Sequence, residues 1–426
     1  MHRFAVLGHP IAHSLSPVMH TANLRALGLE GRYEKSDITS EELTAAIRRF
    51  QRKGYLGLNL TIPHKTSVLP LLDRIDESVA LTGACNTVKF ELGGSITGYN
   101  TDIDGFLAVL AAAGFSLKGK RVLIVGNGGA GRALAATALR EGAVRISIAG
   151  RSAAKAAALA NWLGKIREDS RGSVLPSPGL AIVAEELGTA ECVQEAAGAD
   201  LVVNATPLGL AEGDLSPLPG AAFRPGQLAL DLIPTRTVPP MASVAATAGA
   251  TVLSGLDFLV EQGARSFELW TGLAADRAVM NAALHEVMFL YGPPAAGKTT
   301  LGRRLAAERG IAFVDLDEAI VCREGRTIPE LFAAGGEAGF RAAENSALGA
   351  VLSAIKARTI IALGGGTLLD ATNRRRCESV GAVCCLPAPD AAELERRLAL
   401  APASRPLGDR ASQRVAHYAS FPPFFA

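Results

Sequence analysis

The sequence predicts an α/β protein built on parallel sheets. Strand-like and helical segments alternate along all 426 residues, two apolar runs lead directly into glycine-rich segments, and 49% of the residues are hydrophobic. At about 150 residues per domain, the length predicts two or three domains. We expect three domains: 1–103 together with the helices in 257–285, then 104–256, then 286–426.

The predicted elements follow the alternation along the chain. In the first domain they are strand 3–7, helix 17–28, strand 31–36, helix 40–53, strand 56–60, helix 66–72 and a hairpin near 86–98. In the second they are helix 104–113, strand 121–126, helix 131–141 and strands 144–149, 200–204, 228–232 and 250–253, before closing helices at 257–286. In the third they are strand 287–291, helix 298–309, strand 311–315, helices around 328–355 and strands 359–363 and 382–386. Gly142 and Gly310 are placed to end the helices before them.

Composition argues against several classes of protein. A net charge of +2 gives no reason to expect nucleic acid or an anionic membrane as partner. The longest uncharged stretch, 237–257, is broken by prolines and glycines and is not predicted to span a membrane. The six cysteines lack CxxC spacing, and the start of the chain does not have the pattern of a signal peptide. We therefore expect a cytoplasmic protein that acts on small molecules, with a homodimer left open.

The first glycine-rich segment follows strand 121–126 and leads into helix 131–141. It consists of Gly126, Asn127, Gly128, Gly129, Ala130 and Gly131. A GxGxxG turn in this position holds the pyrophosphate of a dinucleotide on backbone N–H groups. The alternative is a tight strand-to-helix turn that binds nothing.

The end of the next strand, 144–149, indicates which dinucleotide fits. NAD-binding folds place a carboxylate there for the ribose 2′-hydroxyl. This sequence has Gly150, Arg151 and Ser152 instead, with Lys155 one turn later. Two cations and no carboxylate favour a 2′-phosphate and therefore NADP. The alternative is that Arg151 is a solvated surface side chain with no ligand.

Polar residues concentrate in the loops of the first domain, in four short motifs. These motifs supply Ser14 and Ser16, then Asn59, Thr61 and Lys65, then Asn86, and finally Asp102. With these motifs in this order, followed by GxGGAxRA and NAT, residues 1 to about 285 resemble shikimate dehydrogenase. The resemblance implies a substrate domain followed by an NADP-binding Rossmann domain.

The resemblance also implies roles for individual residues. The substrate's carboxylate and hydroxyls would be held by Ser14, Ser16, Thr61, Asn86 and Asp102, with support from Asn59 and Gln262. Lys65 and Asp102 would flank the carbon that is reduced, and a lysine beside an aspartate can donate and reclaim the proton that ketone reduction needs. Glu77 and Gly255 would lie on the cofactor side. Taken alone, Lys65 would normally be interpreted as a solvated loop lysine, and only the full set of motifs favours the catalytic role.

One position departs from that family's pattern. Members usually carry a tyrosine after the aspartate of the strand at 228–232, where it touches substrate. Here Asp231 is followed by Leu232, Ile233, Pro234 and Thr235. Substrate choice is therefore open, and a quinate-type dehydrogenase is an alternative.

The second glycine-rich segment is a GxxxxGKT loop, 292–299, directly after strand 287–291. Such a loop wraps a triphosphate, with its lysine at the outer phosphates and its hydroxyl on Mg²⁺. The nucleotide-binding candidates are Ala295, Ala296, Gly297, Lys298, Thr299 and Thr300. A loop that binds nothing is the alternative.

Residues 286 to roughly 410 resemble shikimate kinase, which implies a P-loop kinase domain with a parallel sheet. By that resemblance Thr299 and Asp315 hold Mg²⁺, Asp317 accepts the substrate hydroxyls, and Arg341 and Gly365 bind its carboxylate end. Arg405 would close on ATP. An exposed helix arginine is the alternative for Arg341.

The last residues depart from the kinase pattern, because Ser420 stands where an RxPLY-like stretch would bring a second substrate arginine. Family members also continue for roughly another strand and helix. Two hypotheses follow. One is a bifunctional enzyme that reduces 3-dehydroshikimate with NADPH and then phosphorylates shikimate with ATP and Mg²⁺. The other is an active dehydrogenase joined to a non-catalytic kinase-like binding module.

Overall fold

The structure is a computed structural model that describes residues 1–169, 180–211, 213–387, 415–418 and 420–421. The chain divides into two compact units, one formed by 1–17 and 31–275 and the other by 18–30 and 276–426. Two of the three sheets lie in the first unit. The division into three domains, with 257–285 assigned to the first, stays a prediction.

The first sheet of the first unit is mixed. Its strands are β1 (His2–Gly8), β2 (Gly31–Asp37), β3 (Gly57–Leu60), β4 (Arg74–Ile75), β5 (Thr87–Phe90) and β6 (Ile96–Tyr99). They lie in the order β2-β1-β3-β5-β6-β4, and β5 pairs antiparallel with both β3 and β6. The predicted hairpin is therefore confirmed, and it makes this sheet the exception to the parallel arrangement.

The second sheet of the first unit is entirely parallel. Its strands are β7 (Arg121–Val125), β8 (Arg145–Gly150), β9 (Ala181–Glu186), β10 (Leu201–Asn204), β11 (Leu228–Asp231) and β12 (Thr251–Leu253). The order β12-β11-β10-β7-β8-β9 is that of a doubly wound Rossmann fold. The strand order reverses between β7 and β10, and ligands bind at the carboxyl ends of the strands at such a point.

The helices of the first unit cover these sheets. They are α2 (Leu43–Arg52), α3 (His64–Ser67), α4 (Glu77–Thr82), α5 (Asp102–Ala112), α6 (Gly129–Arg140), α7 (Ala153–Asp169), α8 (Ala190–Gly198), α9 (Pro240–Thr247) and α10 (Gly255–Thr271). One face of the second sheet packs with α5, α6 and α7, and the other packs with α8 and α9. The predicted helix 66–72 is instead α3 and a separate 3₁₀ turn, Leu69–Leu71, because Pro70 has no N–H to continue an α-helix.

The second unit is built on a four-stranded parallel sheet. Its strands are β13 (Val287–Tyr291), β14 (Ala312–Asp315), β15 (Thr359–Ala362) and β16 (Gly381–Cys385), in the order β14-β15-β13-β16. The helices that accompany it are α11 (Arg277–Ala283), α12 (Lys298–Arg309), α13 (Leu316–Glu324), α14 (Ile328–Ala354), α15 (Ala371–Val380) and α16 (Val415–Tyr418). The body of α1 (Ser16–Ala26) belongs to this unit, where Ala22 and Ala26 pack in its core.

Two local predictions about helices in the second unit can be compared directly. Gly310 ends α12 in the left-handed conformation at φ 62°, as expected for a C-terminal cap. The helical stretch predicted around 328–355 is α14, which is interrupted at Gly336 by non-helical backbone angles of φ 63° and ψ −163°. Both glycines adopt angles that residues with a Cβ rarely take.

Candidate active sites

The first unit contains a cavity of about 430 Å³ at the carboxyl ends of β3 and β7. All eight predicted substrate-side or catalytic residues of this unit line it: Ser14, Ser16, Asn59, Thr61, Lys65, Asn86, Asp102 and Gln262. Four of the predicted cofactor-side residues also line it: Gly128, Gly129, Ala130 and Gly255. The fold thus brings together residues that are separated by more than 200 positions in the chain.

A lysine–aspartate ion pair lies in this cavity. Lys65 is the second residue of the short helix α3, and its Nζ lies 2.6 Å from Asp102 Oδ2. The lysine side chain is 14% exposed and the aspartate 2%, so the pair is shielded while the ammonium keeps some access. Asp102 is the first residue of α5, where the helix dipole favours a negative charge. The pair therefore has the two groups that a proton transfer requires.

Asn86 fixes the second oxygen of that carboxylate. Its Nδ2 donates to Asp102 Oδ1 at 2.8 Å and to Thr101 Oγ1 at 3.0 Å. Its own Oδ1 accepts the backbone N–H of Thr101 at 2.8 Å. Because each end of the amide has a partner, the orientation of Asn86 and the position of Asp102 are set together.

Asn59 is held from three sides by residues that sequence analysis did not select. Its Oδ1 accepts the Tyr33 hydroxyl at 2.7 Å, and its Nδ2 donates to Thr87 Oγ1 at 3.1 Å and to Ser266 Oγ at 3.0 Å. Burial raises the pKa of Tyr33 well above its usual value, so the phenol remains a donor. Ser266 lies one helical turn after Gln262, which is the signal that could have identified it.

The two serines stand at the start of α1. Ser16 is the first residue of that helix and is buried, while Ser14 is half-buried and accepts the Ser16 backbone N–H at 3.4 Å. Both line the cavity, as does Thr61. Hydroxyls that line a cavity suit an anionic carboxylate or sugar-like hydroxyls.

Three of the four glycines after β7 stand where a side chain would not fit. Gly126 has φ 117°, and a Cβ on Gly131 would collide with the Gly126 carbonyl oxygen. A Cβ on Gly129 would lie 2.6 Å from the Lys65 Cβ, whereas Gly128 has open space around it. The N-terminus of α6 therefore offers its backbone to an anion at the reversal point of the sheet, and these residues fit a dinucleotide pyrophosphate.

The remaining predicted cofactor contacts lie outside the cavity lining. Gly150 ends β8 beside the Asn127 side chain, 3.2 Å from where its Cβ would be. Arg151 and Lys155 are exposed and Ser152 is half-buried. Glu77 is exposed in the first turn of α4. The two cations at the tip of β8 are therefore accessible to a charged group such as a 2′-phosphate.

The position without the family tyrosine is apolar. Leu232, Ile233 and Pro234 line the cavity. Just before them, burial raises the pKa of Asp231 to about 6, and its Oδ1 accepts the Asn204 amide at 3.0 Å. Asn204 in turn accepts the Thr206 hydroxyl at 2.7 Å, so this network reaches the cavity wall at Thr206.

In the second unit, the GxxxxGKT loop leads from β13 into α12. Lys298 Nζ donates to the carbonyl oxygens of Gly292 and Pro293, each at 2.9 Å. Gly292 has φ 134°, Ala295 has φ 64° and Gly297 has φ 86°, so three residues of the loop adopt positive φ angles. The lysine is thereby folded over the loop in which a phosphate would lie.

The predicted Mg²⁺ residues are in contact with each other. Thr299 Oγ1 donates to Asp315 Oδ2 at 2.5 Å, and Asp315 Oδ1 accepts the backbone N–H groups of Asp317 and Glu318. One hydroxyl and one carboxylate suit Mg²⁺, which retains several waters in nucleotide sites. Within the described residues, no group of three or more His, Cys, Asp or Glu side chains could hold a metal ion by itself.

Arg341 lies against the glycine-rich turn after β15. A Cβ on Gly366 would collide with its guanidinium, and Arg341 Nη1 lies 2.6 Å from the buried carboxylate of Glu344. A Cβ on Gly364 would lie 3.2 Å from Asp317 Oδ1. Arg341, Asp317 and the turn containing Gly365 are thus brought together, whereas Arg405 lies outside the described residues.

Comparisons with known proteins agree with both resemblances. Residues 6–88 match the model of the shikimate dehydrogenase substrate binding domain, 109–171 that of shikimate / quinate 5-dehydrogenase, and 255–285 that of the shikimate 5′-dehydrogenase C-terminal domain. Residues 294–420 match the shikimate kinase model. Shikimate dehydrogenase (NADP(+)) of Moorella thermoacetica is 41% identical over 296 residues, which are 69% of this chain and 96% of that protein. The chain belongs to the shikimate dehydrogenase family and also carries a shikimate kinase domain.

Two solved structures extend the comparison of the shikimate dehydrogenase part. Shikimate 5-dehydrogenase from Thermus thermophilus, in complex with NADP(H) and shikimate, is 38% identical, with a TM-score of 0.56 over 66% of this chain and 97% of that one. Quinate dehydrogenase from Corynebacterium glutamicum, in complex with NAD, is 28% identical, with a TM-score of 0.57 over 66% of this chain and 96% of that one. The predicted Rossmann and P-loop fold class is confirmed.

The family assignment also bears on the expected activities and cofactors. The chain is a bifunctional shikimate-pathway enzyme, and the predicted cofactors, NADP for the dehydrogenase and ATP with Mg²⁺ for the kinase domain, agree with the names of its relatives and of the kinase model. No helix in the described part of the chain is long and apolar enough to cross a membrane. The individual site residues stay predictions.

Proposed function

We propose that the first unit reduces 3-dehydroshikimate to shikimate with NADPH and that the second phosphorylates shikimate with ATP and Mg²⁺. The observation that carries the first reaction is the shielded Lys65–Asp102 pair, in the same cavity as Gly128 and Gly129 at the start of α6. Bound NADPH supplies the hydride for the ketone carbon.

The chain's own residues handle the proton. As the ketone oxygen gains negative charge, the Lys65 ammonium donates a proton to it, and Asp102 stabilises the ammonium before transfer. Asn86 keeps the carboxylate in place through the contact at 2.8 Å. The partial exposure of Lys65 lets solvent restore its proton. Ser14, Ser16 and Thr61 bind the rest of the acid, which agrees with their positions in the cavity lining.

For the second reaction, Lys298 binds the transferred phosphoryl group, and Thr299 with Asp315 holds Mg²⁺. Asp317 orients the attacking hydroxyl, because its carboxylate lies beside Gly364 in the turn that meets Arg341. Arg341 and the turn containing Gly365 hold the carboxylate of the acid. The close contacts among these groups support the assignment.

A paired assay on the purified full chain tests both reactions. NADPH formation with shikimate and NADP⁺ reports the first, and ADP release with shikimate, ATP and Mg²⁺ reports the second. Both signals are expected. Loss of ADP release alone would favour a non-catalytic kinase-like module.

Quinate dehydrogenation is the second candidate, because apolar Leu232 and Ile233 stand where the family usually has a tyrosine. Steady-state rates with shikimate and quinate, each with NADP⁺ and NAD⁺, separate the two. We expect the highest kcat/KM for shikimate with NADP⁺. A preference for quinate with NAD⁺ would overturn the proposed substrate and cofactor.

A further inference from the structure

Two buried tyrosines converge on one backbone carbonyl in the second unit. The Tyr418 hydroxyl donates to the Gly365 oxygen at 2.7 Å, and the Tyr291 hydroxyl donates to the same oxygen at 3.3 Å. Tyr291 is completely buried and Tyr418 is 8% exposed. A carbonyl oxygen has two lone pairs, so it can accept both bonds at once.

The two phenols come from distant parts of the chain. Tyr291 is the last residue of β13 and directly precedes the GxxxxGKT loop, whereas Tyr418 belongs to the C-terminal helix α16. Their rings lie 5.4 Å apart, and Phe421 packs on Tyr291 at 5.1 Å. This packing fixes the direction from which each hydroxyl reaches Gly365.

The held carbonyl determines the direction of the next N–H group. In a planar trans peptide, the carbonyl of Gly365 and the N–H of Gly366 point in opposite directions. The N–H of Gly366 therefore points away from the two tyrosines. Gly366 is also the residue against which the Arg341 guanidinium packs.

We infer that Tyr291 and Tyr418 are positioning residues for the acid-binding turn of the kinase domain. By fixing the Gly365 carbonyl, they hold the Gly366 N–H and the turn in register with Arg341, so that both can face a carboxylate. The inference rests on the proposed kinase function. It assigns a role in substrate binding to Tyr291, a residue of the strand that leads into the nucleotide loop.

The test compares Tyr291→Phe, Tyr418→Phe and the double variant with the wild-type chain. Each Phe keeps the ring and removes one neutral hydrogen bond, so each single variant should raise the kinase KM for shikimate about 2- to 12-fold. The double variant should raise the KM for shikimate further than either single variant, because no phenol then donates a hydrogen bond to the Gly365 oxygen. The kcat and the KM for ATP should change less than the KM for shikimate.

Phe421→Leu is the matched control, since it disturbs the ring packing on Tyr291 but leaves both hydroxyls. The dehydrogenase rate of each sample measures the amount of folded chain. An unchanged KM for shikimate in the double variant would overturn the inference. So would a rise in Phe421→Leu as large as that in the double variant, because ring packing alone would then account for the effect.

Hydrogen–deuterium exchange of the segment 363–369 gives a readout that needs no turnover. Without ligand, this segment should exchange faster in the double variant than in the wild type or Phe421→Leu. If the wild-type chain releases no ADP, the proposed kinase function fails, and exchange alone decides the inference. Equal exchange in the wild type and the double variant would overturn it.

Discussion

The two glycine-rich loops follow a strand of a parallel sheet and lead into a helix, yet they differ in where their charges come from. The first loop, 126–131, has no charged side chain, and the cations near its predicted ligand are Lys65 in α3, Arg151 after β8 and Lys155 in α7. The second carries Lys298 within the loop, already folded onto two of its carbonyls. One loop therefore depends on distant parts of the fold, and the other is nearly self-contained.

This difference suggests which functions of each site a single substitution can separate from one another. Around the first loop, we propose proton transfer and cofactor choice for different residues, so each function should be removable without the other. In the second loop, we propose both phosphate binding and charge stabilisation for one lysine, Lys298. Substitutions of Lys65, Lys298 and Arg151 test that contrast.

Lys65→Ala should have the largest effect. We expect the dehydrogenase kcat to fall about 10²- to 10⁴-fold, because the variant removes the proton donor beside Asp102. The kinase rate of the same sample should be unchanged. Steady-state kinetics with saturating shikimate and NADP⁺ measure the loss, and exposed Lys118→Ala is the control. An unchanged kcat would remove Lys65 from the chemistry.

Lys298→Met is the reciprocal test. ADP release should fall about 10²- to 10³-fold, because a preorganised cation at the transferred phosphoryl group is lost. The dehydrogenase rate should stay at its wild-type value. Exposed Lys356→Met controls for the loss of a positive charge in the same unit. Equal ADP release from Lys298→Met and the wild type would mean that this loop does not catalyse phosphoryl transfer.

Arg151→Ala should separate cofactor choice from chemistry. A charge-assisted hydrogen bond to a 2′-phosphate contributes about 1.5–3 kcal/mol, so kcat/KM for NADPH should fall about 10- to 150-fold. The value for NADH should change little. Arg140→Ala, at an exposed position in the last turn of α6, is the control. Equal losses of kcat/KM with NADPH and NADH would show that Arg151 does not bind the 2′-phosphate.

The sequence predicted the elements around both loops better than the elements between them. Strands that lead into glycine-rich turns carry a local signal, and β7, α6, β13 and α12 lie within two residues of their predicted bounds. Helices α4, α7, α8, α13 and α15 and strands β4 and β9 were not predicted. Helix α13 is instructive, because Asp315 was predicted only as a metal ligand although its side chain also caps that helix.

The residues of the cavity also show that sequence patterns predict only what carries a local signal. Motif residues could be selected because each stands in a short recognisable pattern, and the fold gathers them. Tyr33 and Ser266 carry no motif and reach Asn59 only through the tertiary fold, with Ser266 207 positions away in the chain. The Tyr33 hydroxyl could therefore not be found before the structure was known, and Ser266 only through its spacing of one helical turn from Gln262.

Asp231→Asn extends the comparison to the aspartates that end a strand beside each loop. Asp315, beside the second loop, accepts backbone N–H groups at the start of a helix, whereas Asp231, beside the first, is buried among neutral partners such as Asn204 and Ile233. Burial raises the pKa of Asp231 to about 6 in the folded chain, above its ordinary value of 3.8.

A raised folded-state pKa means that the folded chain holds this proton more tightly than the unfolded chain, so its stabilising contribution is lost as pH rises through about 6. Between pH 4.5 and 7, the wild type should lose about 2 kcal/mol of unfolding free energy relative to Asp231→Asn, which has no such proton. The measurement is the urea transition that coincides with loss of dehydrogenase activity, with exposed Asp73→Asn as control. A constant difference between the wild type and Asp231→Asn across this range would mean that Asp231 ionises in the folded chain as it does in the unfolded one.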